Sequence, residues 1–394
     1  MTGEQGKLQL PGGDARVVRH GATMRAGVSG ALQVAFILGL LAAIAGMGVT
    51  AHDNLLRQGV ATGFGFLLDR TGFDVGASFL PHDPDKPYWW TFLVGLANTI
   101  VLSLVCIVLA TAAGLALALL GAGKSRVLFG LTRLYVLVFR NIPLIVQVFF
   151  WYHVTRLLPP VRQSVELLGC CYASNRGLYV PRIGVEATWS TLLAAIAGAA
   201  VAVIAIRAWR ARRGHDLSRA AAIGLALAGG IIAAAATVSY DVAMPRLQGF
   251  NFVDGTQLSP EFMAMVAALV AYNVAFIAEI VNSGIRAVPR HQLEAARVIG
   301  LSDQRTFFSI TIPQAIRIAT PPLVNQYISL TKSSSLAIAI GYTDLFSVGV
   351  IAINHTGQSI NVIAVLMLAY LGLSFGISAL GNLYNSSLAA RGRT

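Results

Sequence analysis

The sequence predicts an all-α integral membrane protein of about eight transmembrane helices, N-in and C-in. Three observations point to it. Hydrophobic residues fill 56% of the 394 positions and charged residues only 12%, with a mean hydropathy of +0.68. A soluble domain carries roughly 25% charged residues. The apolar residues are gathered into runs near the ~20 residues that a helix needs to cross a bilayer. Basic residues are sorted between those runs, seventeen on one side against eight on the other, and the richer side is cytoplasmic. Such a composition excludes a soluble enzyme and a disordered tail. The net charge of +12 comes without a strip of interleaved aromatic and basic residues, so no nucleic-acid partner is expected.

The runs follow in order. The first, Ala31 to about Thr50, comes after Arg16, Arg19 and Arg25. It is longer than the core of a signal peptide and has no clear small-residue cleavage site, so it reads as a retained anchor. The second, about Thr91 to Leu120, is introduced by the aromatic belt Tyr88, Trp89 and Trp90. The third, about Val127 to Leu158, is interrupted at Arg140-Asn141-Ile142-Pro143. The fourth and fifth, Trp189 to Ile206 and Ala220 to about Val238, are Ala-rich and joined by the basic turn Arg207–Arg219, so they read as an inserted hairpin. The sixth runs from Glu261 to about Val281. The seventh starts after Pro313, contains Pro321 and Pro322, and ends near Ile340. The eighth runs from about Ser359 to Leu383. Helices are the only reading within lipid, where each unpaired backbone group costs several kcal/mol. Two longer segments, roughly 52–86 and 159–187, stay on the non-cytoplasmic face.

Little here resembles the chemistry of a resident cofactor. Cys106 lies in an apolar run and reads as a small core residue, while Cys170 and Cys171 are adjacent, too close for an ordinary disulfide. No Cys-x-x-Cys pair suggests zinc. Gly121-Ala122-Gly123-Lys124-Ser125 invites a phosphate-loop reading, but that motif needs a glycine where Ala118 stands and a strand before it. No metal or cofactor is expected in this chain.

The most polar cytoplasmic stretch is 285–317. Pro289 suits a first helical turn, and Glu294 through Ile299 favour helix. Gly300 fits a helix stop, and Ser302 and Asp303 suit the cap of a second short helix through about Ile310. Pro313 would then start the return into the bilayer.

Glu294-Ala295-Ala296, Gly300, Ile310, Ile312 and Pro313 stand at the spacing of the coupling-loop signature of ABC importer permeases. Neighbouring residues extend the likeness: Ala271-Tyr272-Asn273, Gly284-Ile285, Gln314-Ala315-Ile316-Arg317, Lys332-Ser333-Ser334-Ser335, Arg140-Asn141-Ile142-Pro143 and Gly249-Phe250-Asn251-Phe252. From about Asn54 onward the chain resembles bacterial permeases of the polar and general L-amino-acid uptake branch. It departs at Asn282-Ser283-Gly284, where Arg-Gly-Gly is usual, and at His291, where Gly is commoner.

The resemblance implies a five-helix permease core, to which this chain adds a leading helix and the hairpin. It divides the chain into a cytoplasmic segment 1–30, a leading helix and outer loop 31–90, and a permease domain 91–394, with the hairpin at 189–240 and the coupling loop at 285–313. It further implies a bacterial inner-membrane location, a cytoplasmic ATPase dimer that holds ATP and Mg, a periplasmic amino-acid-binding protein, a second, related permease subunit, and surrounding membrane lipid. Glu294, Ala295, Ala296, Gly300, Ile310 and Pro313 would meet the ATPase. Small Ala295 and Ala296 would let its surface approach, and Glu294 would offer it a charge-assisted contact. A solvated helix that stops at a glycine is the plainer alternative.

Candidate substrate-pathway residues are Arg140, Asn141, Glu279, Asn325, Gln326, Lys332 and Ser333. Arg140 would meet a substrate carboxylate or hold two helices together. Glu279 faces a cavity, as intramembrane carboxylates do, or sits at the cytoplasmic interface. Lys332 and Ser333 line a path or pack helices through small residues. A rival reading is a secondary amino-acid transporter driven by an ion gradient, which would show repeated halves and several mid-membrane carboxylates.

Overall fold

The structure, a computed structural model, describes residues 32–43, 45–50, 53–54, 57, 63–123, 125–167, 169–186, 197–198, 200–206, 228–230, 233 and 239–390. Its helices are α1 (Leu32–Thr50), α2 (Tyr88–Ala122), α3 (Arg126–Asn141), α4 (Leu144–Arg156), α5 (Pro260–Arg286), α6 (Arg290–Val298), α7 (Asp303–Thr306), α8 (Ile312–Ser333), α9 (Leu345–Thr356) and α10 (Ser359–Ala390). Among the described residues, α1, α2, α5 and α10 are each long and apolar enough to cross a membrane, and two bent pairs raise the number to six if each is one span. Six of the eight expected runs thus coincide with helices. The other two, in the hairpin at 189–240, lie largely outside the described residues, as do segment 1–30 and the Arg207–Arg219 turn. The described pieces of the hairpin touch: a Cβ on Gly198 would stand 2.5 Å from the Gly229 carbonyl oxygen.

The third run breaks where the sequence placed the break. α3 and α4 meet at 102°. Proline disfavours helical backbone in the residue before it, and Ile142 is extended at φ −84°, ψ 123°. The Gln147 side chain repairs the opened ladder, donating to the carbonyls of Phe139 at 3.0 Å and Ile142 at 3.1 Å. Upstream, Ser125 accepts from the Leu128 N–H and caps α3, so the serine of the Gly-Lys-Ser motif serves as a helix cap.

Two expectations need correction. The chain is not all-α: among the described residues, eight short strands lie in 165–186 and 239–258. β1 (Val165–Leu167), β2 (Cys171–Ser174), β3 (Gly177–Val180) and β8 (Thr256–Leu258) form an antiparallel sheet in the order β1-β2-β3-β8. β4 (Arg182–Glu186) pairs with β5 (Ser239–Ala243), and β6 (Arg246–Gln248) with β7 (Asn251–Val253). Within this β-lobe the backbone groups of the strands pair with one another. The second correction concerns 303–333. A separate short helix ending near Ile310 was expected, but α7 continues through a widened π turn, Phe307–Thr311, directly into α8. Pro313 is therefore inside a continuous helical path. It lacks the N–H that a regular turn would use, and the widened turn lies immediately before it.

α2 and α5 form the centre. Gly114 lets them close: a Cβ there would stand 2.7 Å from the Ile277 side chain. Leu102, Cys106, Val148, Met265, Leu269 and Leu330 fill one core cluster, and Ala110, Ala118, Ile277 and Val281 a second. The buried Asn98 pins loops to this frame. Its amide donates to the Thr343 carbonyl at 2.7 Å and accepts from the Phe79 N–H at 3.1 Å. α9, which no apolar run announced, starts beside it, capped by Asp344 through the Ser347 N–H at 2.9 Å.

Candidate functional site

α6 and α7 form an elbow. Pro289 stands at the N-cap of α6, one residue before the first helical turn where the sequence placed it. At the other end Gly300 is left-handed, φ +81°. Its N–H donates to the Arg297 carbonyl at 3.0 Å, and the Leu301 N–H to the Ala296 carbonyl at 3.0 Å. This crossed pair satisfies carbonyls that a helix end leaves open, and it needs the backbone that glycine adopts without strain. Ser302 then caps α7 by accepting from the Arg305 N–H at 3.4 Å. Arg297 reaches over the bend to Asp303, Nε to Oδ1 3.6 Å.

The elbow is fastened to the bundle at two points. Gln314 of α8 donates to Gln292 of α6 at 2.5 Å. Below it, Gly284 of α5 lies against α8, where a Cβ would stand 2.8 Å from the Ala315 carbonyl oxygen and 3.2 Å from the Ala319 Cβ.

The signature residues divide between two faces. Ala296 is buried and seats the helix, whereas Glu294 and Ala295 are exposed. Of the two alanines expected to admit a partner's surface, Ala295 is therefore the one that lies on the open face. Beside Glu294 the surface carries apolar side chains that the sequence reading treated only as helix formers: Val298 is 85% exposed and Ile299 75%. Phe308, at the start of the widened turn, is exposed as well. Ile310 is half-buried in that turn and Pro313 is exposed. Contiguous apolar surface around a charged residue marks an interaction site more often than scattered apolar residues do.

The pathway candidates are not gathered into one cavity. Glu279, half-buried in α5, lines a pocket of about 330 Å³ with Gly121, Thr132, Arg133, Asn282 and Arg286; no other candidate lines it. Arg140 is exposed at the α3–α4 break, its guanidinium 5.0 Å from the centre of the Phe276 ring. That contact joins α3 to α5. Asn141 donates to the Leu137 carbonyl of its own helix at 2.8 Å, and Ser333 to the Ser329 carbonyl at 2.9 Å. Asn325 and Lys332 are exposed. Gln326 alone reaches a buried polar partner, donating to Asn273 Oδ1 at 2.8 Å, while Asn273 donates to the Leu269 carbonyl at 2.7 Å. Asn273 was not singled out beforehand as a pathway candidate; an amide on the buried face of an apolar helix was the available signal.

Residues 110–391 match the family described as "Binding-protein-dependent transport system inner membrane component". Three relatives align along most of the chain. The Escherichia coli (strain K12) protein YhdX is 38% identical over 373 residues, covering 90% of this chain and 94% of its own. The general L-amino acid transport system permease protein AapQ of Rhizobium johnstonii is 38% identical over 352 residues, covering 86% of this chain and 87% of its own. The glutamate/glutamine/aspartate/asparagine transport system permease protein BztB of Rhodobacter capsulatus is 32% identical over 401 residues, covering 92% and 94%. With 282 matched positions holding the whole α6–α7 elbow and the spans that flank it, this chain belongs to the binding-protein-dependent transport system inner membrane components.

Proposed function

We propose that this chain is the membrane-spanning permease of an ATP-driven importer of L-amino acids, loaded by a separate periplasmic binding protein. The amino-acid transport named for AapQ and BztB supports the substrate class. None of the three relatives favours the ion-gradient alternative. The observation that carries the coupling role is the elbow: a helix stopped by left-handed Gly300, seated through Ala296, presenting Glu294 beside exposed Val298 and Ile299.

In this reading the elbow sits on a cytoplasmic ATPase, and ATP and Mg²⁺ are that partner's. Closure of an ATPase pair moves the elbow. The Gln292–Gln314 bond and the Gly284–Ala315 contact pass the motion to α8 and α5. The spans then shift between outward and inward access, with substrate held more tightly in one state than in the other. One chain offers one elbow, so a second permease, related but different, supplies the other. N-in and C-in topology puts the elbow in the cytoplasm and the β-lobe in the periplasm, with lipid against the outer apolar faces.

The test pairs Glu294→Lys with Val298→Asp in cells carrying the complete transporter. Both variants are expected to stay in the membrane at normal amounts and to lose uptake. Full-rate uptake in both contradicts the proposal.

A further inference from the structure

The adjacent cysteines lie closer than strand geometry allows. Successive residues of a strand project to opposite faces, yet the sulfurs of Cys170 and Cys171 are 3.6 Å apart, with both residues partly exposed. The turn between β1 and β2 explains it. Gly169 is left-handed at φ +71°. The Cys170 N–H donates to the Leu167 carbonyl at 3.3 Å, and Cys171 opens β2 opposite Leu167. Cys170 therefore belongs to the turn and Cys171 to the strand, so their thiols meet on one side. The third cysteine, Cys106, is wholly buried in α2 among Leu102, Val148 and Met265. Among the described residues, the hydrogen-bond partner of each thiol of the pair is its neighbour.

We propose that Cys170 and Cys171 form a reversible vicinal disulfide, a redox-modification site at the tip of the β1–β2 hairpin. The proposal rests on the outward placement of the β-lobe given above, since disulfides persist in the periplasm. The oxidant is an external disulfide, either a disulfide oxidoreductase or an oxidised low-molecular-weight thiol. One cysteine, as thiolate, attacks it and releases one sulfur as a thiol. The second cysteine attacks the resulting mixed disulfide and releases the other. One S–S bond replaces another, two protons and two electrons pass to the oxidant, and the oxidant leaves as a dithiol or as two thiols. Desolvation, then the contact with Cys170, raises the Cys171 thiol above its usual range, so it must give up its proton before it can attack or resolve a disulfide.

The ring is strained. Adjacent α-carbons are about 3.8 Å apart, below the roughly 4.4–6.8 Å that relaxed disulfides span. Strained, exposed disulfides are the easily reduced ones, so the pair acts as a switch and not as a staple. Its state reaches the rest of the lobe through Tyr172, the next residue, which stacks on Phe252 at 4.8 Å; Phe252 in turn lies 4.6 Å from Tyr179.

The experiment uses cells carrying the complete transporter, quenched in acid, denatured and blocked with a maleimide. Mass spectrometry of the 170–171 peptide is expected to find it unlabelled and two hydrogens short, and doubly labelled after dithiothreitol. In Cys170→Ser, Cys171 is expected to label once reductant has cleared any mixed disulfide. Two free thiols in the wild type after treatment with oxidised glutathione overturn the proposal. So does a reducible band of higher mass in the wild type. Topology is read separately. After reduction, a membrane-impermeant maleimide added to spheroplasts labels the pair when the lobe faces outward. A disulfide that forms in a lobe closed to that reagent contradicts the topology and leaves the pair's chemistry standing.

Discussion

Gly284 and Ala315 hold two spans in backbone contact: the missing Cβ of Gly284 would stand 2.8 Å from the Ala315 carbonyl oxygen. The contact lies at the C-terminal end of α5, and α6 begins within the next few residues. The elbow thus starts from a point where α5 and α8 cannot slide past one another freely.

Gly284→Val forces a branched side chain against backbone that cannot swing away. Overpacking of this kind costs about 1–3 kcal/mol. The variant is expected to melt earlier in detergent and to lose uptake, and Gly284→Ala to show the same defects more mildly. Thermal unfolding of the purified complex, beside uptake in cells, checks both.

Gly300 makes a different demand, because it is exposed and nothing stands within 4 Å of its absent Cβ. Its constraint is φ alone. A branched residue in left-handed backbone costs about 1–2 kcal/mol, whereas Asn tolerates it. Gly300→Val is expected to cut uptake with little change in membrane abundance, and Gly300→Asn to keep most of it. Equal uptake in the two variants would show that the crossed cap does not set the elbow's shape.

The break in the third span was legible because one residue type decides it. Pro143 imposes extended backbone on Ile142 whatever the surroundings. Gly300 was legible for the same reason. The strands were not. Each is three to five residues long, and Leu178 of β3 pairs with Leu258 of β8, far along the chain. Neither alternation nor a short turn joins those two in sequence. The facing of Ala295 and Ala296 was hidden too. Two like residues side by side carry no periodicity, and only packing decides which one is buried. The scattered pathway candidates share that difficulty: polarity marked them, but most of their hydrogen bonds go to their own helices.

Asn98 offers a test of how the outer loops are held. It is fully buried and bonds Thr343 and Phe79 across long sequence separations. Asn98→Leu removes the acceptor and leaves the Phe79 N–H without its partner. Stranding such a group costs about 1–3 kcal/mol. Faster proteolysis within 63–87 is expected, with α5 and α8 still intact.

Gln326 and Asn273 separate support from substrate contact. If their bond only supports the bundle, Gln326→Leu lowers stability by about 1 kcal/mol and leaves the order of preferred amino acids unchanged. A changed order, measured by competition of unlabelled amino acids against one labelled substrate, places the pair on the pathway.

The exposed face of α6 is the surface proposed to meet the ATPase. A photo-crosslinking amino acid at position 298, in the assembled transporter in native membranes, tests it most directly. The account predicts a crosslink to the ATPase subunit, and none from the buried position 296. Crosslinks to lipid or solvent alone at 298, in a complex whose ATPase is captured from another part of this chain, would contradict it.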